Sequence, residues 1–124
     1  MATAESIDML KIAAEAADAK GGEDLVALDV SEPLPLVDVF LLVTGRSERN
    51  VAAIADEIED KLHEAGHKRL RREGRAESRW VLLDFGDLVV HVFHQEERAF
   101  YALERLWKDC PVIPVEVGAT RPAE

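Results

Sequence analysis

Apolar positions recur along the chain with two periods, and the switches between them mark out its elements. Ile7, Leu10, Ala14 and Ala17 fall at helical spacing, with Thr3 or Ser6 placed to cap the first turn and Gly21-Gly22 to end the helix. Glu23–Val30 reads as a strand, and Ser31–Leu36, with Pro33 and Pro35, as a rigid connection. Val37–Thr44 is almost continuously apolar, the pattern of a strand buried on both faces. Gly45 breaks it. Ser47 is placed to cap the next helix, Glu48 suits the helix dipole, and Val51, Ile54, Ala55, Ile58 and Leu62 form one apolar stripe. Gly66 is a natural stop. His67–Glu73 reads as a polar strand and Gly74–Arg79 as a loop. Trp80–Phe85 and Leu88–His94 are β-rich runs meeting at Gly86-Asp87, a strong hairpin signal. Glu96–Asp109 is the last predicted helix, with Phe100, Leu103 and Trp107 on one side and Pro111 ending it; Val112–Val117 adds a short extended segment. The order α-β-β-α-β-β-β-α predicts a single α/β domain over residues 1–118, a mixed sheet packed with helices, and a flexible tail over residues 119–124.

The hairpin is the informative element. A two-residue turn at Gly86-Asp87 sets Phe85 opposite Leu88 and Asp84 opposite Val89. Val81, Leu83, Phe85, Leu88, Val90 and Val92 then share a wholly apolar face, which must meet the helices. The opposite face carries Trp80, Leu82, Asp84, Val89, His91 and Phe93, with Asp87 at the tip. Large aromatics beside an acid and a histidine make a candidate protein-binding surface. The competing reading is that a helix covers this face and Asp84 is paired inside the fold.

At 124 residues the chain has room for one domain, and 48% apolar with 32% charged residues is a globular composition. The net charge of −10 argues against a protein that binds nucleic acid chiefly through phosphates and favours a basic partner. His67–Arg79 runs against this trend, with Lys68, Arg69, Arg71, Arg72, Arg75 and Arg79 against Glu73 and Glu77. It reads first as an edge strand defended by charge, and second as a peripheral contact to RNA phosphates or an acidic patch. A single cysteine, Cys110, cannot form an internal disulfide and fits a reducing compartment. Met1–Leu10 lacks the basic cluster and apolar run of a signal peptide, and Val39–Val43 is too short to span a membrane. Together these features predict a cytoplasmic protein.

The candidate catalytic motifs fail on context. His63-Glu64-Ala65-Gly66-His67 matches H-E-x-x-H, but the apolar stripe turns both histidines toward solvent and Gly66 ends the helix between them. Thr44-Gly45-Arg46-Ser47 joins a strand to a helix N-terminus, as in nucleotidyltransferases. Those enzymes need paired metal-binding acids on the next strand, and Asp84 and Asp87 instead straddle a turn. His91 and His94 point to opposite strand faces. No metal, cofactor or catalytic residue is predicted.

Several segments together resemble the ribosomal silencing factor (RsfS, Iojap-like) family. They are Val37-Asp38-Val39-Phe40 through Thr44-Gly45-Arg46-Ser47; Ala53-Ile54-Ala55-Asp56; Glu73-Gly74; and Trp80-Val81-Leu82-Leu83-Asp84-Phe85-Gly86-Asp87 through Val90-His91-Val92-Phe93. A last group is Arg98, Tyr101, Leu103-Glu104 and Leu106-Trp107. Val37 and Val39 depart from the Thr and Tyr more usual around this Asp. The resemblance covers residues 5–110. It implies a nucleotidyltransferase-like fold without transferase activity and binding to ribosomal protein fourteen of the large subunit. It further implies a steric block to joining of the small subunit, which represses translation, and a homodimer when the factor is free. The alternatives are a nucleotidyltransferase-like enzyme and a generic homodimeric adaptor.

Overall fold

The computed structural model describes residues 2–74, 79–96 and 109–115. Helix α1 spans Ala4–Ala19, β1 Glu23–Asp29, β2 Val39–Gly45, α2 Glu48–Glu64, β3 Arg71–Gly74, β4 Trp80–Asp84, β5 Leu88–His94 and β6 Val112–Ile113. The predicted order is met through β5 and in the short segment after Pro111. The predicted Glu96–Asp109 helix, with its Arg98 to Trp107 motif, lies almost wholly outside the described residues, as do most of the Gly74–Arg79 loop and the tail.

Both helices begin and end as their sequences dictate. Thr3, not Ser6, caps α1, its side chain accepting the Ser6 N–H, and Ser47 caps α2 by accepting the Asn50 N–H. At the other end, Gly66 (φ +91°) and Gly21 (φ +79°) take the left-handed conformation. This lets the His67 N–H reach the Leu62 carbonyl at 2.8 Å and the Gly22 N–H reach the Ala17 carbonyl at 2.8 Å. Each helix thus closes its last carbonyls with the same paired-bond motif. The α2 stripe is buried residue for residue as its spacing requires: Val51, Ile54, Ala55, Ile58 and Leu62.

The strands form one mixed sheet in the order β3-β4-β5-β2-β1-β6. β2 and β5 pair in parallel at its centre, Val39 with Leu88 through Gly45 with His94, and the other neighbours are antiparallel. All seven residues of β2 are buried, as its unbroken apolar run requires. The strand begins at Val39 rather than Val37, because the Asp38 and Val39 N–H groups both donate to the Asp87 carbonyl at the hairpin tip. On one face, Met9, Leu10, Ala13 and Ala17 of α1 and the α2 stripe bury Val39, Leu41, Val43, Val81, Leu83, Phe85, Leu88, Val90 and Val92. Full burial of each large aliphatic there contributes about 1.5–3 kcal/mol. On the other face a smaller cluster gathers Leu28, Val30, Phe40, Leu42, Val89 and Phe93, with Trp80, Leu82, Leu34, Val37 and Cys110 at its margin.

The polar strand is shorter than its sequence suggested, Arg71–Gly74 rather than His67–Glu73, because the chain first turns through the Gly66 closure. It does lie at the sheet's edge with all four residues exposed. Its cations meet acids of the same chain: Arg72 pairs with Asp56 and Glu59 at 2.9 and 3.0 Å, Arg69 with Glu59 at 3.2 Å, and Arg71 with Glu73 at 3.2 Å. Burial opposes the Arg72 charge most strongly, but its bonds to Asp56 and Glu59 outweigh that and raise its pKa.

Candidate functional site

The β4–β5 hairpin has the predicted register: Asp84 faces Val89, Leu83 faces Val90, Leu82 faces His91 and Trp80 faces Phe93. The Phe85 N–H donates to the Leu88 carbonyl at 2.9 Å, closing the turn around Gly86-Asp87. The two faces therefore separate as the alternation requires. Val81, Leu83, Phe85, Leu88, Val90 and Val92 face the helices, and Trp80, Leu82, Val89 and Phe93 belong to the second cluster.

Burial divides the candidate residues. Val89 and His91 are each 7% exposed and Phe93 1%, so these three lie inside the chain's own second layer. Trp80, Leu82 and Asp84 are half-buried and Asp87 is exposed. A partner docking on this surface would touch those four first, with the buried three behind them as support.

The support is an aromatic stack. The Trp80 and Phe93 ring centres are 4.8 Å apart, His91 lies parallel to Phe93 at 5.9 Å, and Phe40 of β2 meets His91 edge-on at 5.0 Å. Phe40 was not singled out from the sequence. Its signal was the β2 run, whose burial on both faces requires alternate residues to reach the second layer. The Trp80 indole N–H donates to His91 Nδ1 at 3.3 Å, which places the neutral ring's proton on Nε2, and Nε2 is buried with no partner among the described residues. Burial pushes the His91 pKa down from 6.5 to about 4, so the ring is neutral near pH 7.

Asp84 is tied into the fold. One carboxylate oxygen accepts the Gly86 N–H at 2.8 Å, and the other lies 3.9 Å from the Arg71 guanidinium. Internal pairing of Asp84, the competing expectation, is thus present alongside its partial exposure. Asp87 contributes its carbonyl to the start of β2 and leaves its side chain exposed.

Of the other motifs, Thr44-Gly45-Arg46-Ser47 begins beside this surface, since Thr44 pairs with Phe93. His63 is exposed, while His67 is half-buried because the chain folds back at Gly66, so the two do not share one outward face. Ser47 acts as a helix cap. Among the described residues no three His, Cys, Asp or Glu side chains could hold a metal ion. Nor is any described helix long and apolar enough to cross a membrane.

Comparison with known proteins identifies the family. The family described as "Ribosomal silencing factor during starvation" matches residues 3–124. The ribosomal silencing factor RsfS of Bacillus subtilis (strain 168) is 48% identical over 110 residues, which cover 89% of this chain and 93% of the relative. The chloroplastic protein Iojap of Zea mays is 30% identical over 121 residues, covering 95% of this chain and 51% of that longer protein. Among solved structures, one from Bacillus halodurans superposes with a TM-score of 0.78 at 43% identity, covering 88% of this chain and 99% of that one. One from Chromobacterium violaceum superposes with a TM-score of 0.80 at 37% identity, covering 94% and 96%. With the family's pattern matched almost end to end and its fold shared by both solved relatives, the chain belongs to the ribosomal silencing factor family.

Proposed function

We propose that this protein binds the large ribosomal subunit through ribosomal protein fourteen, using the hairpin surface of Trp80, Leu82, Asp84 and Asp87. Occupying that position it blocks joining of the small subunit and so represses translation in the cytoplasm. The observation that supports the reading most is the surface itself. In a family named for ribosome silencing, a half-exposed tryptophan packed on the Phe93 ring shares a hairpin face with Asp84, and Asp87 is exposed at the tip. An anchor of this kind loses little conformational freedom on docking, and the acids suit a basic ribosomal protein. No metal or cofactor enters this mechanism, and no catalytic step is assigned. Off the ribosome, the same half-exposed margin is the surface on which two copies would pair.

Co-sedimentation with purified ribosomal particles tests this. The protein is expected in the large-subunit fraction and absent from joined ribosomes; equal binding to both would remove the steric block. Trp80→Ala should weaken large-subunit binding by about 2 kcal/mol or more, roughly thirtyfold, with an unchanged circular dichroism spectrum. Wild-type affinity in a folded Trp80→Ala variant would move the interface elsewhere.

A further inference from the structure

Strand β3 is held to the molecule in an unusual way. All four of its residues are exposed, and no side chain of residues 63–74 enters either apolar cluster. Among the described residues it bonds in the sheet only to β4, with the Leu70 N–H adding a bond to the Asp84 carbonyl at 2.7 Å. What fastens it to the helical layer is charge: Arg72 to Asp56 and Glu59, and Arg69 to Glu59, all at 3.2 Å or less. The next strands inward are different in kind, since β4 buries Val81 and Leu83 and β5 buries Leu88 through Phe93.

We propose that β3 is a detachable edge, clasped to α2 by the Arg69–Arg72–Asp56–Glu59 ion cluster, which opens from β4 by itself when that cluster is screened. Apolar burial is insensitive to moderate salt, whereas exposed ion pairs lose most of their attraction once the screening length falls to a few ångströms. The two kinds of fastening therefore respond differently to one variable. Opening bares the outer backbone edge of β4 and separates Asp84 from Arg71. Such an edge is a template for an added strand. An ionic change can thus alter the side of β4 that adjoins the hairpin surface without unfolding the core.

Hydrogen exchange of the full chain at pH 7, in about 0.05 M and about 1 M sodium chloride, tests the clasp. Amides of residues 70–74 should exchange about fivefold faster in high salt, with those of β2 and β5 unchanged, as expected when the three surface pairs of the clasp are weakened. Arg72→Gln should show the faster rate already at low salt and lose most of the salt response. The double variant Asp56→Asn, Glu59→Gln, which alters only α2, should do the same. A salt-independent β3, or a β3 that exchanges only in step with β2 and β5, would overturn the proposal. So would a wild-type salt response in both variants.

Discussion

At the scale of single residues, His91 is where the fold and the acidity of its surroundings meet. Folded, its ring is neutral, one nitrogen bonded by Trp80 and the other enclosed; unfolded, it titrates near its ordinary 6.5. The depressed folded pKa means that the unfolded chain binds the extra proton first. Stability is therefore lost as pH falls from 6.5, and the loss levels off below about 4. At pH 5 the contribution is about 2 kcal/mol. Urea unfolding at pH 7.5 and 5.0 should show the wild type losing that much more than His91→Gln, whose side chain can still accept from the indole. Equal losses would exclude His91 as the source. The alternation of the hairpin was enough to place His91 with Trp80 and Phe93. It could not show that the ring is enclosed, because that depends on Phe40, contributed by a strand far away in sequence.

At the scale of elements, the two glycines flanking α2 separate two reasons for the same residue. A Cβ on Gly66 would meet nothing within 4 Å, so Gly66→Ala carries only the left-handed backbone penalty, about 1 kcal/mol. A Cβ on Gly45 would stand 2.6 Å from Val51 Cγ2 and 3.0 Å from the Val51 backbone nitrogen, and backbone cannot swing aside. Gly45→Ala should cost about 3 kcal/mol. Denaturant titration of the two variants should rank them in that order; the reverse would mean that α2 docks less tightly on the end of β2. The helices, their caps and their stops were legible in the sequence, because each rests on local spacing and on one or two residues of special chemistry. So were the register of the hairpin and the double burial of β2. The fastening of β3 was not, since Asp56 and Glu59 lie on another element and charge carries no periodicity. The sequence likewise hid the hold on the first turn of α1, where Asp38 accepts the Thr3 N–H and the Ser6 hydroxyl.

At the scale of the molecule, internal pairing changes the meaning of the charge distribution. The run from Lys68 to Arg79 looked like a basic patch on an acidic protein. Arg69, Arg71, Arg72 and Arg79 each meet a carboxylate of the same chain, so the patch is largely spent within the fold. The field that a partner meets at long range is set by the net charge of −10. Association with a basic ribosomal surface should then slow as salt rises, while dissociation changes little. Replacing Arg69 and Arg71 by Ser, which leaves the chain still more acidic, should speed association in stopped-flow or surface-binding kinetics. Slower association would instead show that this strip meets RNA phosphates.

The pairing at the centre of the sheet also fixes when the protein can exist. β2 and β5 meet along their whole length, Val39 beside Leu88 and Gly45 beside His94. Contacts so distant in sequence close slowly. During synthesis, β1 and β2 emerge first, and the inner edge of β2 stays unfilled until the chain has been made and released past His94. Until then Val39–Val43, five apolar residues in a row, is an open template for any neighbouring nascent chain. A factor whose family is named for quieting ribosomes is thus itself most vulnerable while still emerging from one.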